Sequence, residues 1–156
     1  RQRQMCIRDR SKANTDLERI GDEAAKIARI AQNLCEEGGS PRGYMETRHI
    51  GNQVRVMIHD ALDAFARLDA EQALQVLLAD ADIDREYQSA TRTLMTYMIE
   101  DPRHISRVIN VMWVLRSLER IGDHARNIAE QVIYIAKGLD VRHTRIEEIE
   151  EKVHRG

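Results

Sequence analysis

Six consecutive residues, Leu17-Glu18-Arg19-Ile20-Gly21-Asp22, return 101 positions later as Leu118-Glu119-Arg120-Ile121-Gly122-Asp123. The match continues at Ala24, Ile27 and Ala28, which return as Ala125, Ile128 and Ala129. In a chain of 156 residues this marks a duplicated structural unit. Each copy holds a glutamate and an aspartate four positions apart. On a helix those side chains lie one turn apart on the same face, a geometry suited to binding a cation.

The chain around the repeat reads as all-helical. Charged residues make up 32% and aromatic residues 4%, with only two prolines and abundant helix formers. The formal net charge of −2 supplies no basic field for nucleic acid. No stretch approaches the roughly 20 apolar residues of a spanning helix, and no signal peptide is visible. Cys6 and Cys35 are too few for a disulfide framework, so a reducing cytoplasm is the expected compartment.

Apolar spacing predicts four long helices. The first covers about Asn14 to Glu37, with the stripe Leu17, Ile20, Ala24, Ile27, Ala28, Ala31 and Leu34, and Gly38-Gly39-Ser40-Pro41 stops it. The second covers about Tyr44 to Leu68. The third covers about Ala70 to Ile99, with Ala73, Leu77, Ala81, Met95 and Met98 on one side. Asp101 and Pro102 then cap and open a fourth helix that ends at Lys137, before Gly138. A short or frayed helix is expected between Glu147 and Lys152.

Short links between long amphipathic helices imply antiparallel packing. The second to fourth helices form one three-helix bundle, residues 42–139. The repeat offset makes residues 11–39 the last helix of a preceding copy, whose start falls about 60 positions before residue 1. That helix is expected either to fold against the complete bundle or to hang free. Residues 1–10 lack an apolar stripe and are expected to be a non-native leader. Residues 140–156 are expected to be a charged, partly disordered tail.

The acids differ in what they imply. Glu119 and Asp123 lie roughly 100 to 140° from the apolar centre of the fourth helix, on its flank. Asp80 and Asp84 repeat the same spacing on the third helix, and Asp84 falls on the stripe through Leu77 and Ala81. A buried carboxylate needs a partner. That partner is either an arginine of the fourth helix, Arg116 or Arg120, or a cation shared between the two acid pairs. All-oxygen sites suit magnesium, calcium or manganese, and can hold iron. The repeated Arg19 and Arg120 either hold the carboxylates in place or bind a phosphate, and the first role, which needs no further partner, is the expected one. Gly21 and Gly122 each cost about 1 kcal/mol in a helix relative to Ala, which points to a close neighbour at those positions. Glu46/His49 and Glu151/His154 match the Glu-x-x-His pattern of di-iron bundles, but neither sits mid-bundle and chance accounts for them.

With these residues in view, the chain resembles the PhoU family. The doubled Leu-Glu-Arg-Ile-Gly-Asp carries the resemblance. It is joined by Met57 to Ala66, Asp80 to Tyr87 and Leu94 to Met98, and it extends over about Ser11 to His143. The resemblance implies an all-α, PhoU-like repeat of three-helix bundles, one complete antiparallel bundle plus the last helix of a preceding one. It implies metal ions (iron, zinc, manganese or magnesium) on Glu18 and Asp22 in the first bundle and on Asp80, Asp84, Glu119 and Asp123 in the second. It also implies a non-enzymatic, cytoplasmic negative regulator of phosphate uptake and phosphate-starvation signalling. Such a protein links the ATPase of a phosphate ABC transporter to a sensor histidine kinase, forms a homodimer, and meets the inner membrane only through its partners. The alternative is a carboxylate-bridged helical metalloenzyme, an oxidase or phosphohydrolase, which needs its ligands inside a bundle and an open metal position.

Overall fold

A computed structural model describes residues 2–38 and 42–155, with side chains from Ile7 onward. The Cys6 side chain, the predicted stop at Gly39-Ser40-Pro41 and Gly156 lie outside the described residues. Among the described residues five α-helices follow in order: α1 (Gln2–Glu36), α2 (Tyr44–Arg67), α3 (Ala70–Glu100), α4 (Ile105–Lys137) and α5 (Ile146–His154). A 3-10 turn, Pro102–His104, leads into α4. No helix among the described residues is long and apolar enough to cross a membrane.

The boundaries have local causes. Leu68 takes a left-handed conformation (φ 53°) and Asp69 caps α3 by accepting from the Gln72 amide at 3.1 Å, so two residues reverse the chain between α2 and α3. The Asp101 carboxylate accepts from the Arg103 amide and Pro102 opens the next turn, as the sequence predicts. Gly138 ends α4 with φ 69°. Gly43, ahead of α2, has φ 86°, and a Cβ there would run into Leu94. Both its backbone and its packing exclude a larger residue.

α2, α3 and α4 form a three-helix bundle. α3 runs antiparallel to both neighbours: Gln53 on α2 reaches Glu86, and Arg126 on α4 reaches Asp80. α2 and α4 therefore run parallel, with Leu118 against Gly51. Leu74, Leu77, Leu94, Leu115, Ala125 and Ile133 are fully buried at its centre. Each large apolar side chain removed from water this way contributes about 1.5–3 kcal/mol.

α1 folds against α4, antiparallel to it. Asp16 faces His124 and Asn127 near one end, Glu23 meets Arg120 midway, and Glu37 meets Arg107 near the other end. The face that α1 buries differs from the expected stripe. Ala13, Asp16, Ile20, Glu23 and Leu34 are buried, and Ile27 and Ile30 pack partly against the core. These positions alternate by three and four, the seam of a coiled pair. Of the expected stripe, Leu17 is 37% exposed and Ala24, Ala28 and Ala31 are exposed. Their counterparts on α4, Leu118, Ala125, Ala129 and Val132, are all buried. The stripe is real, but α4 covers the seam beside it.

Both terminal segments carry helix. α1 is helical from Gln2, so residues 2–10 continue it. The short helix expected between Glu147 and Lys152, within the tail expected to be partly disordered, is present as α5 (Ile146–His154), which packs on α3 with Ile149 and Val153 buried. The spacing of four between those two residues gives α5 an apolar edge despite its charge.

Candidate metal centre

α3 and α4 bring three carboxylates together. One oxygen each from Asp80, Asp84 and Asp123 lies within 4.8 Å of the others. Antiparallel packing sets this up: the Asp-x-x-x-Asp turn of α3 lies beside Gly122 and Asp123 of α4. A Cβ on Gly122 would stand 3.6 Å from Oδ1 of Asp80. A methyl there would make an ordinary van der Waals contact with the carboxylate, so the buried acid lies close to the α4 backbone beside the glycine. Gly21, its counterpart, has nothing within 4 Å of the same point.

The burial order corrects the helical-wheel reading. Asp80 is the core residue at 2% exposure, and Asp84 is half-buried. The core face of α3 runs through Ala73, Leu77, Asp80, Ile83, Ala90 and Leu94, whereas the expected stripe continued through Ala81 and Met95. Met95 is 48% exposed. A straight 100° wheel loses phase over a helix of 31 residues packed in a bundle.

The arginine assignment changes too. Neither Arg116 nor Arg120 reaches Asp80; Arg126 does, with Nη1 3.1 Å from Oδ2. The same guanidinium donates from Nε to Glu130 at 3.0 Å. Arg116 pairs with Glu119 on its own helix at 2.5 Å, and Arg120 turns to Glu23 of α1 at 3.5 Å. Glu119 therefore sits beside the three converging acids rather than among them. Sequence reasoning missed Arg126 and Glu130, although their spacing of four on one helix was a usable signal.

The electrostatics fit a site awaiting positive charge. Burial pushes the Asp80 carboxyl up and the charge of Asp84 adds to this, while Arg126 opposes both. Asp123 is exposed as a residue, yet the neighbouring helix partly desolvates its carboxyl, and this together with the charges of Glu119, Asp80 and Asp84 pushes it up to about 6. Carboxylates that raise one another in this way gain when a cation enters. The donor set is oxygen throughout, which fits a hard ion such as magnesium or manganese, or iron, better than zinc.

Glu18 and Asp22, the first-copy pair, are both exposed on α1. No acid from another described element joins them in a three-carboxylate group. The two Glu-x-x-His pairs do not converge. His49 bonds Glu86 and His154 bonds Glu71, positions about 22 Å apart along α3.

The seam between α1 and α4 holds a polar cluster that sequence reasoning also missed. The Asp16 carboxylate, 9% exposed, accepts from His124 Nδ1 at 3.0 Å and from Asn127 at 3.3 Å. Glu23, 4% exposed, accepts from Lys26 at 3.0 Å. Burial raises the pKa of Glu23, but hydrogen bonds from Lys26 and Ser117 and the charges of Lys26 and Arg120 outweigh it, so the net shift is downward.

Comparison with known proteins agrees with this architecture. The PhoU domain matches residues 47–132. The phosphate-specific transport system accessory protein PhoU homolog of Pseudomonas aeruginosa is 64% identical over 143 residues, covering 92% of this chain and 59% of that protein. The accessory protein PhoU of Escherichia coli is 41% identical over 140 residues, covering 90% of this chain and 58% of that protein. The chain thus spans a little over half the length of these relatives. The crystal structure of PhoU from Pseudomonas aeruginosa superposes with a TM-score of 0.84 at 64% identity, over 86% of this chain and 65% of that one. The phosphate transport system regulatory protein PhoU from Streptococcus pneumoniae superposes with a TM-score of 0.72 at 27% identity, over 81% of this chain and 59% of that one.

Proposed function

The chain belongs to the PhoU family, and from that premise we propose that it acts as a regulatory accessory of phosphate uptake, a metal-binding adaptor rather than a catalyst. The observation that carries the role is the 64% identity with a phosphate-specific transport accessory protein across 92% of the chain. The partners that fit are the ATPase subunit of a phosphate ABC transporter and a sensor histidine kinase. Assembly as a homodimer and a cytoplasmic place at the inner membrane face belong to the same proposal.

The metal part rests on the convergence of Asp80, Asp84 and Asp123. These residues would hold the ion, with Glu119 near enough to Asp123 to raise its pKa. A bound cation would offset the mutual repulsion of the acids and fix α3 against α4. Docking would then depend on ion loading through the surface these two helices share. On α1, Leu17, Gly21, Ala24, Ala28 and Ala31 form an exposed strip whose α4 counterparts are covered by α2 and α3. We propose that a helical pair like α2 and α3 covers it, completing the ligand set around Glu18 and Asp22.

Complementation tests the role. A strain lacking its own PhoU protein receives the gene encoding this chain, and a phosphate-starvation reporter is read in high phosphate. Repression is expected. The Asp80→Asn, Asp84→Asn, Asp123→Asn triple variant should leave the reporter derepressed. Full derepression with the unaltered gene would count against the regulatory reading, and full repression by a folded triple variant would count against a role for the ion. Melting curves with and without EDTA test the metal directly, and an unchanged melting temperature after verified metal removal argues against it.

A further inference from the structure

Arg126 bears on how the Asp80–Asp84–Asp123 site fills. Asp80 is 2% exposed, and a carboxylate buried without a cation costs several kcal/mol. Arg126 supplies that cation through Nη1, while its Nε stays on Glu130 one turn along α4. The guanidinium can therefore leave Asp80 and keep a charged acceptor. The duplicated module does not require this arrangement, since the first copy has Ala25 and Arg29 where the second has Arg126 and Glu130. A divalent ion among the three acids would need the carboxylate that Arg126 holds, and the two cations repel at that distance.

We propose that Arg126 is a tethered counter-cation that competes with the metal ion for Asp80 and so sets the ion concentration at which the second-bundle site fills. This rests on the metal reading above and adds a threshold to it. Arg126 is a positioning residue, since it acts on the ion through Asp80. In the metal-free protein it stabilises the packing of α3 on α4, and on loading it retires to Glu130. The first-copy pair, Glu18 and Asp22, carries no such competitor at the matching position.

Titration of Mn2+ into the full chain and into Arg126→Met, following free Mn2+ by electron paramagnetic resonance, tests the competition. A cation within about 4–6 Å shifts a carboxylate's protonation by 1–3 pKa units, so Arg126→Met is expected to bind Mn2+ on the order of tenfold more tightly. The gain should persist in about 0.5 M KCl, where exposed charges more than a few ångström apart are screened. The metal-free variant should also melt below the unaltered protein. Equal affinities overturn the competition and leave the metal site standing. A gain that vanishes at high salt also overturns it, because it reports a diffuse field. Failure of both proteins to bind Mn2+ overturns the competition and the metal reading together. If Arg126→Met does not fold, Glu130→Gln serves in its place. Removing the resting acceptor holds Arg126 on Asp80, so Mn2+ should bind several-fold more weakly, and unchanged affinity overturns the proposal.

Discussion

Asp16 and His124 meet across the α1–α4 seam at 3.0 Å, and each has a counterpart 101 residues away that meets the other's. Adding the offset to Asp16 gives Ser117, and subtracting it from His124 gives Glu23. Ser117 hydrogen-bonds Glu23. The seam therefore has a local twofold, whose axis by register passes near Ile20 and Ile121. Two cavities obey it. One, of about 650 Å³, includes Lys12, Asp16, Asn127 and Glu130 in its lining, and the other, of about 340 Å³, includes Trp113, Ser117, Lys26 and Arg29. These are the same four positions in the two copies. The frame is conserved between them, and its chemistry has changed from mixed charge at one end to basic at the other.

Asp16 ties α1 to α4 through two donors. Replacing it with Ala removes both hydrogen bonds, and because His124 is half-buried and Asn127 exposed, water can take the acceptor's place, so the expected cost is about 0.5–1.5 kcal/mol. Urea denaturation followed by circular dichroism reads the change, and an unmoved midpoint would show that apolar contacts alone dock α1.

The Asp123 pKa predicts an unusual pH response. Its folded value, about 6, lies above the ordinary 3.8, so above pH 6 the folded protein carries a charge it disfavours. Stability of the metal-free protein should therefore rise as pH falls from about 6 toward 4, and Asp80, shifted the same way, adds to the rise. Melting temperatures taken across that window in the presence of EDTA should show it, and Asp123→Asn should flatten it. Ion binding should weaken over the same interval, since the ligands must be deprotonated.

The two repeated glycines should respond differently to alanine. Gly21 lies within α1 with open space at its Cβ position, so Gly21→Ala is expected to stabilise by about 0.5–1 kcal/mol. Gly122→Ala places a methyl 3.6 Å from an Asp80 oxygen and should gain less. Comparing the two denaturation midpoints decides it. Equal gains would mean that the carboxylate does not sense the methyl.

Ile149 anchors α5. It is fully buried, and Ile149→Ala should cost about 2–4 kcal/mol if the terminal helix unfolds together with the bundle. A loss well under 1 kcal/mol, with hydrogen exchange accelerated only in α5, would instead identify α5 as a separately opening unit.

Sequence carried most of the architecture because long helices announce themselves through periodicity and punctuation. Asp101-Pro102, Gly138 and the end near Glu37 sit where those residues imply. The convergence of Asp80, Asp84 and Asp123 was legible from matched spacing on adjacent antiparallel helices. Which acid enters the core was not, because bundle packing shifts helical phase by about 20° per heptad relative to a straight wheel. The pairing of Arg126 with Asp80 depends on inter-helix register, which local pattern does not supply. The seam on α1 hid for a different reason. Asp16 and Glu23 occupy buried positions usually held by apolar residues, and Leu17 and three alanines formed a more hydrophobic decoy beside it.

The two-residue reversal at Leu68-Asp69 orders the way this molecule assembles. It lets α2 and α3 meet with partners such as Gln53 and Glu86 only 33 positions apart, so that hairpin closes with little loss of chain freedom. The bonds from Asp16 to His124 and Asn127 span 108 and 111 positions. They become worthwhile only once α4 lies on the bundle, so docking α1 closes a loop more than three times as long and carries the larger entropic cost, which the seam must offset.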